Sequence, residues 1–215
     1  MNRNYQRELD RLIEQLEREG RVPSLLLHSC CAPCSSYVLE YLSRYFSITI
    51  FYDNPNISPE EEYRRRVEEQ KRLIAEMEFV HPVSFLEGEY DPQRFYNAVR
   101  GLEQIPEGGE RCFACYRLRL QAAAEAARAG GFDYFTTTLS ISPMKKADKL
   151  VEEGEAAAQE IGVPYLVSDF KKKNGYKRSI ELSHEYGLYR QDYCGCVFSK
   201  QEALARRQRR STDEV

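Results

Sequence analysis

The chain has 215 residues, 42% hydrophobic and 30% charged, with 31 basic and 34 acidic side chains and a net charge of −3. That length suits a single α/β domain with a substantial core and a few appendages. The charge excludes a general polycation, so any nucleic-acid contact must come from local patches. No apolar run approaches the roughly 20 residues that span a bilayer.

The first residues are charged (Arg3, Arg7, Glu8, Asp10, Arg11), with no apolar signal core, so a cytoplasmic protein is expected. Residues 1–20 read as an amphipathic helix, with Leu9, Leu12, Ile13 and Leu16 at i, i+3, i+4 and i+7. Residues 22–28 form a first strand, and Pro33 then suits the first turn of a helix reaching Tyr45. A second, β-branched strand over 47–52 ends at Asp53-Asn54-Pro55-Asn56, a strong turn signal. Pro59 opens a long charged helix to about Glu78, acidic first and basic after, as the helix dipole favours. A third strand (79–85), a helix (91–100), a loop with adjacent glycines (101–110) and an alanine-rich helix (112–129) follow. A fourth strand (132–138), a helix around Leu150–Ile161 and a short fifth strand (163–167) complete the alternation. Strands alternating with helices predict a parallel sheet covered on both faces. The last fifty residues add a helical segment and a basic tail, 206–215, expected to fray.

Seven cysteines in three tight groups do not make a secreted disulfide framework. In a reducing compartment such groups point to metal or redox chemistry. Cys30-Cys31-x-x-Cys34 closes the first strand, at the strand-to-helix turn where open α/β sheets hold ligands. Many such turns are glycine-rich and cradle phosphate; thiols occupy this one. Cys112-x-x-Cys115 begins the helix leading to the fourth strand, and Cys194-Gly195-Cys196 lies near the end. Four thiolates suit an iron–sulfur cluster or zinc. Seven thiols exceed one four-cysteine site, which implies a second metal or a redox pair beside the first.

Other residues carry two readings. His28 is expected to be buried and hydrogen-bonded. Asp53 is a candidate general acid or a turn cap. Thr136, Thr137 and Thr138 suit a strand better than a phosphate site. Lys171 to Arg178 carries five positive charges in eight residues, interleaved with Tyr176, and Lys145 and Lys146 follow the Thr/Ser turn. Basic residues beside tyrosine suit an RNA backbone with an unstacked base; a solvated face is the plainer alternative.

The chain resembles the QueH family of cobalamin-independent epoxyqueuosine reductases. The matching segments are His28-Ser29-Cys30-Cys31-Ala32-Pro33, then Tyr52-Asp53-Asn54-Pro55-Asn56-Ile57 with Glu62, Tyr63, Arg65 and Arg66, and Arg111-Cys112-x-x-Cys115. Thr136-Thr137-Thr138-Leu139-x-x-Ser142-Pro143-x-Lys145, Gly175-Tyr176 with Ser179 and Ser183, and Tyr189-Arg190-Gln191-x-Tyr193-Cys194-Gly195-Cys196 complete the match. The resemblance implies a HUP-like α/β core akin to the ATP pyrophosphatases (PP-loop proteins) without their glycine-rich loop. It also implies a [4Fe–4S] cluster with an additional iron, and reduction of epoxyqueuosine to queuosine at the tRNA wobble position. On this reading Cys30, Cys31, Cys112 and Cys115 are assigned to the cluster, and Cys34, Cys194 and Cys196 to the second iron. Asp53, Tyr176 and Tyr193 are candidate proton donors or base contacts. Lys145, Lys171, Lys172, Lys173, Lys177, Arg178 and Arg190 are candidate RNA contacts. The partners are a tRNA carrying epoxyqueuosine and an electron donor, with no membrane. The rival readings are a sulfur-transfer tRNA-modifying enzyme of the same fold class, which needs ATP, and a zinc-stapled RNA-binding module.

Overall fold

A computed structural model describes residues 3–213. Met1 and Asn2 of the expected N-terminal helix, and Glu214 and Val215 of the tail, lie outside the described residues. The sheet is built from β1 (Ser24–His28), β2 (Ser47–Tyr52), β3 (Val83–Glu87) and β4 (Tyr134–Thr137), in the order β3-β2-β1-β4. All three pairings are parallel. The order reverses between β1 and β4, and this switch point is where doubly wound sheets open a crevice beyond the strand ends.

β1 explains why its sequence reads as an unbroken apolar run. Leu25 and Leu27 face one layer and Leu26 the other, all fully buried. The first layer is α1 (Tyr5–Glu19), α2 (Ala32–Leu42) and α3 (Glu60–Glu76), with Leu9, Val38, Leu39 and Leu73 packed beneath Ile48 and Ile50. The second is α5 (Glu110–Ala129) and α6 (Ala147–Ile161), whose Leu120, Ala123, Ala127 and Leu150 cover Leu26 and Phe135. α4 (Pro92–Ala98), α7 (Gly175–Glu185) and α8 (Val197–Asp213) close the carboxyl end. Among the described residues, no helix is long and apolar enough to cross a membrane.

Three sequence expectations change. The third strand, expected over 79–85, lies later, at Val83–Glu87. The fifth strand over 163–167 reduces to a single parallel bridge between Phe135 and Tyr165. The Pro164 carbonyl accepts from Phe135 and the Phe135 carbonyl from Leu166, but Pro164 has no N–H to extend the ladder. The basic tail expected to fray continues α8 as far as Asp213; Ala, Gln and Arg are good helix formers, and Arg207 pairs with Asp192.

Candidate metal centre

All seven cysteines sit at helix beginnings. Cys31 is the N-cap of α2, and Cys34 lies in its first turn. Cys112 and Cys115 lie in the first turns of α5, and Cys194 and Cys196 just before α8. Helix N-termini offer unpaired N–H groups and a partial positive charge, which favour thiolate over thiol. Two such donors already point at sulfur: Gly108 N–H to Cys112 Sγ at 3.3 Å and Ser199 N–H to Cys196 Sγ at 3.4 Å.

The first turn is fastened from several sides. Ser29 and Ser35 hydroxyls both donate to Gln70 Oε1 of α3, at 2.9 and 2.8 Å. Asn54 Nδ2 donates to the Ser29 carbonyl and the Tyr52 hydroxyl to that of Cys30. The ligand atoms of Cys30, Cys31 and Cys34 lie within 4.8 Å of one another, a spacing that could hold a single ion. Cys30 is held well below the usual thiol range by hydrogen bonds from Cys31 and Cys34, with Arg119 and Lys145 adding attraction.

Cys112, Cys115, Cys194 and Cys196 instead line one small hollow with Asn56, Tyr116 and Lys145. Burial, with Cys194, Cys196 and Cys112 adding to it and the charge of Arg119 opposing, pushes Cys115 up to about 12, a proton that a bound metal would displace. The Cys194-Gly195-Cys196 loop is seated by α3. Arg66 Nη1 donates to the Cys194 carbonyl at 3.1 Å, and Gly195 accepts from Ser58 N–H at 3.0 Å.

A larger cleft of about 1260 Å³ of atom-free space, partly open to solvent, adjoins the hollow. Cys30, Cys31, Cys34, Ser142, Lys145, Tyr176, Arg190, Gln191, Tyr193 and Cys194 line it. Cys194, Lys145 and Glu107 border both spaces.

The surroundings are cationic. Arg119 is fully buried and donates to His28 Nε2 at 3.2 Å and to Asn54 Oδ1 at 2.5 Å. His28 Nε2 also lies 3.2 Å from the Asp53 carbonyl, and its Nδ1 lies 2.9 Å from Thr137 Oγ1. Burial, then the charge of Arg119, pushes His28 down to about 3. Lys145 is 7% exposed, with its Nζ 3.1 Å from Cys194 Sγ. Burial acts to lower it, but the Cys194 sulfur, first among the opposing causes, carries it well above the ordinary lysine value. Among the described residues, no carboxylate lies within ion-pair distance of Arg119 or Lys145. Buried cations without carboxylates call for other negative charge, and thiolates are the groups at hand.

Several expected sites stand elsewhere. The carboxylate of Asp53, a candidate proton donor, is buried in a two-pronged pair with Arg94 at 2.9 and 3.2 Å and lines neither space. It ties α4 to the end of β2. The basic run is largely internal glue. Lys171 pairs with Asp169 in the loop before α7, Lys173 with Asp10 of α1, and Arg178 of α7 with Glu40 of α2. Lys172, Lys173 and Lys177 remain exposed, Lys173 despite its pair. Lys145, a candidate RNA contact, is inside the site. Tyr176, Tyr193 and Arg190 do border the cleft. Thr136 and Thr137 are buried and hydrogen-bonded within the fold. The sequence reading missed Arg119, Glu107 and Gln70: each sits in a charged helix or loop and carries no spacing signal.

Fold and site together define a parallel α/β protein whose switch point carries a cysteine centre suited to metal. A family model described as "Epoxyqueuosine reductase QueH" matches residues 25–202. Proteins of that name are 45% identical over 200 residues in Staphylococcus epidermidis (91% of this chain, 84% of that protein) and 44% over 205 in Streptococcus pyogenes (93% and 80%). A third, from Haemophilus influenzae, is 38% identical over 192 residues (88% and 77%). The chain belongs to the QueH epoxyqueuosine reductase family.

Proposed function

We propose that this protein reduces epoxyqueuosine to queuosine at the wobble position of tRNA. One observation carries the reading: three helix N-termini bring seven thiols to the sheet's switch point, beside two buried cations with no carboxylate within ion-pair distance among the described residues. The strand order is compatible with a HUP-like core, and thiols stand where a phosphate loop would serve ATP.

The donor set fits iron. Cys112, Cys115, Cys194 and Cys196 surround a hollow and are the natural holders of a [4Fe–4S] cluster. The tighter trio Cys30, Cys31 and Cys34 suits the additional single ion. This division follows the two spaces rather than the sequence-based assignment of Cys30 and Cys31 to the cluster. Opening an epoxide to an alkene takes up two electrons and two protons and releases water; the bound irons would relay electrons from the external donor and supply a Lewis acid. The chain's own residues then receive the nucleoside. Tyr176 and Tyr193 flank the cleft and offer rings and hydroxyls to a base and its epoxide-bearing ring. Arg190, steadied by its 2.9 Å bond to Ser183 Oγ, offers a cation at the same wall.

The test is anaerobic reconstitution followed by iron and sulfide analysis and turnover of epoxyqueuosine tRNA with a chemical reductant. Iron, acid-labile sulfide and queuosine formation are expected together. Turnover by metal-free protein, or a colourless zinc protein as the active form, would overturn the reading.

A further inference from the structure

Lys145 was expected among surface RNA contacts, yet it is 7% exposed and borders both cysteine-lined spaces. Its backbone N–H closes a turn on the Ser142 carbonyl at 3.1 Å, which aims the side chain inward. The ammonium donates to Cys194 Sγ at 3.1 Å and lies 5.7 Å from the centroid of the Tyr116 ring. Glu107, the carboxylate bordering both spaces, faces Arg206 at 3.9 Å. A fixed positive charge thus touches the sulfur of one cysteine group and stands next to the other, in a site where charge is weakly screened.

We propose that Lys145 is a positioning residue that stabilises the electron-rich state of the cysteine-held metal centre through its hydrogen bond to Cys194. The inference rests on the metal-centre reading above. Hydrogen bonds and positive charge at a ligating sulfur raise the potential of an iron–sulfur centre, because reduction adds a negative charge that the ammonium meets at short range. The lysine neither accepts nor transfers an electron; it sets how readily the centre takes one.

The experiment compares wild type, Lys145→Met and Lys145→Arg after anaerobic reconstitution, with iron and sulfide content and an EPR-monitored redox titration as readouts. Lys145→Met keeps the length of the side chain and removes the charge; Lys145→Arg restores it. The expected result for Lys145→Met is at least a tenfold fall in the reduced-to-oxidised ratio at fixed potential. That corresponds to a negative shift of about 59 mV for a one-electron couple, with Lys145→Arg lying closer to wild type. Loss of iron from Lys145→Met but not from Lys145→Arg supports the same conclusion. Equal potentials in all three proteins, an equal shift in both variants, or loss of iron from both, overturns it in favour of a packing role. Wild-type protein that takes up no iron and sulfide at all sinks the metal-centre reading itself, which a normal wild type with unchanged variants would not.

Discussion

A methyl group at position 195 would meet Ile57 Cγ1 at 3.0 Å and Arg66 Nη1 at 3.1 Å, and the backbone there has φ +125°. Glycine alone adopts that conformation without strain, so Cys194 and Cys196 owe their common direction to Gly195. Gly195→Ala is expected to strain the loop by about 1–3 kcal/mol. Reconstituted iron should fall well below wild type, while far-ultraviolet circular dichroism stays unchanged because the loop lies outside the sheet layers. The division of the thiols has a sharper test. Cys115→Ser should lose acid-labile sulfide, whereas Cys34→Ser should keep its sulfide and lose iron alone; sulfide lost equally from both would refute two separate centres. The cysteines themselves were legible because close spacing in sequence survives folding. Which groups share a space was not, since that depends on α8 returning over α5, held by Glu202 against Arg111 and the Glu107 N–H. Arg119 was invisible for a related reason: on a helical repeat, an arginine that balances buried sulfur looks like any solvated charge.

At the level of elements, β1 and β4 are stapled where they begin. Asp133 Oδ2 accepts from both the N–H and the hydroxyl of Ser24 at 2.8 Å, and the Asp133 N–H donates back to Ser24 Oγ at 3.0 Å. The Ser24 backbone N–H, then its hydroxyl, hold the carboxyl of Asp133 below its ordinary range. A depressed carboxylate stabilises the fold above the unfolded value near 4, and that contribution is lost as pH falls through the lower folded value. Asp133→Ala should therefore cost about 1 kcal/mol at pH 7, discounted for solvent at this exposed site. The gap from wild type in urea unfolding should narrow below pH 4; a gap constant down to pH 2 would deny the carboxylate its part. Ser24 and Asp133 show how far a one-dimensional reading goes. β-Branched runs and turn residues located β1, β2 and β4 to within a few residues, because those signals are local. The 163–167 segment carried the same apolar signal, but one missing N–H left it a bridge.

Across the molecule, the question is where an anticodon loop would lie. Lys171, Lys173 and Arg178 looked like the strongest basic patch in the sequence, and the fold directs their charge onto Asp169, Asp10 and Glu40. Charge already paired within the protein releases few counterions on binding RNA. The cleft mouth is bordered differently. Met144 is 60% exposed beside it, and exposed Lys146 holds its ammonium 5.3 Å from the centroid of the Phe113 ring. Lys149 stands 5.6 Å from the same centroid. A phosphate reaching Lys146 displaces condensed cations, and each such contact contributes about 0.7–0.9 to the slope of log affinity against log salt. Lys146→Ala should weaken tRNA binding several-fold at low salt and reduce that slope by about one contact. Lys173→Ala, which breaks the 2.6 Å pair with Asp10, should leave the slope unchanged and lower stability by less than about 1 kcal/mol. The comparison uses filter binding of the same tRNA across a salt series, with each variant's fold checked by thermal unfolding. A flattened slope in Lys173→Ala with a wild-type slope in Lys146→Ala would move the RNA onto the outer face of α7, away from the cleft where the thiols open.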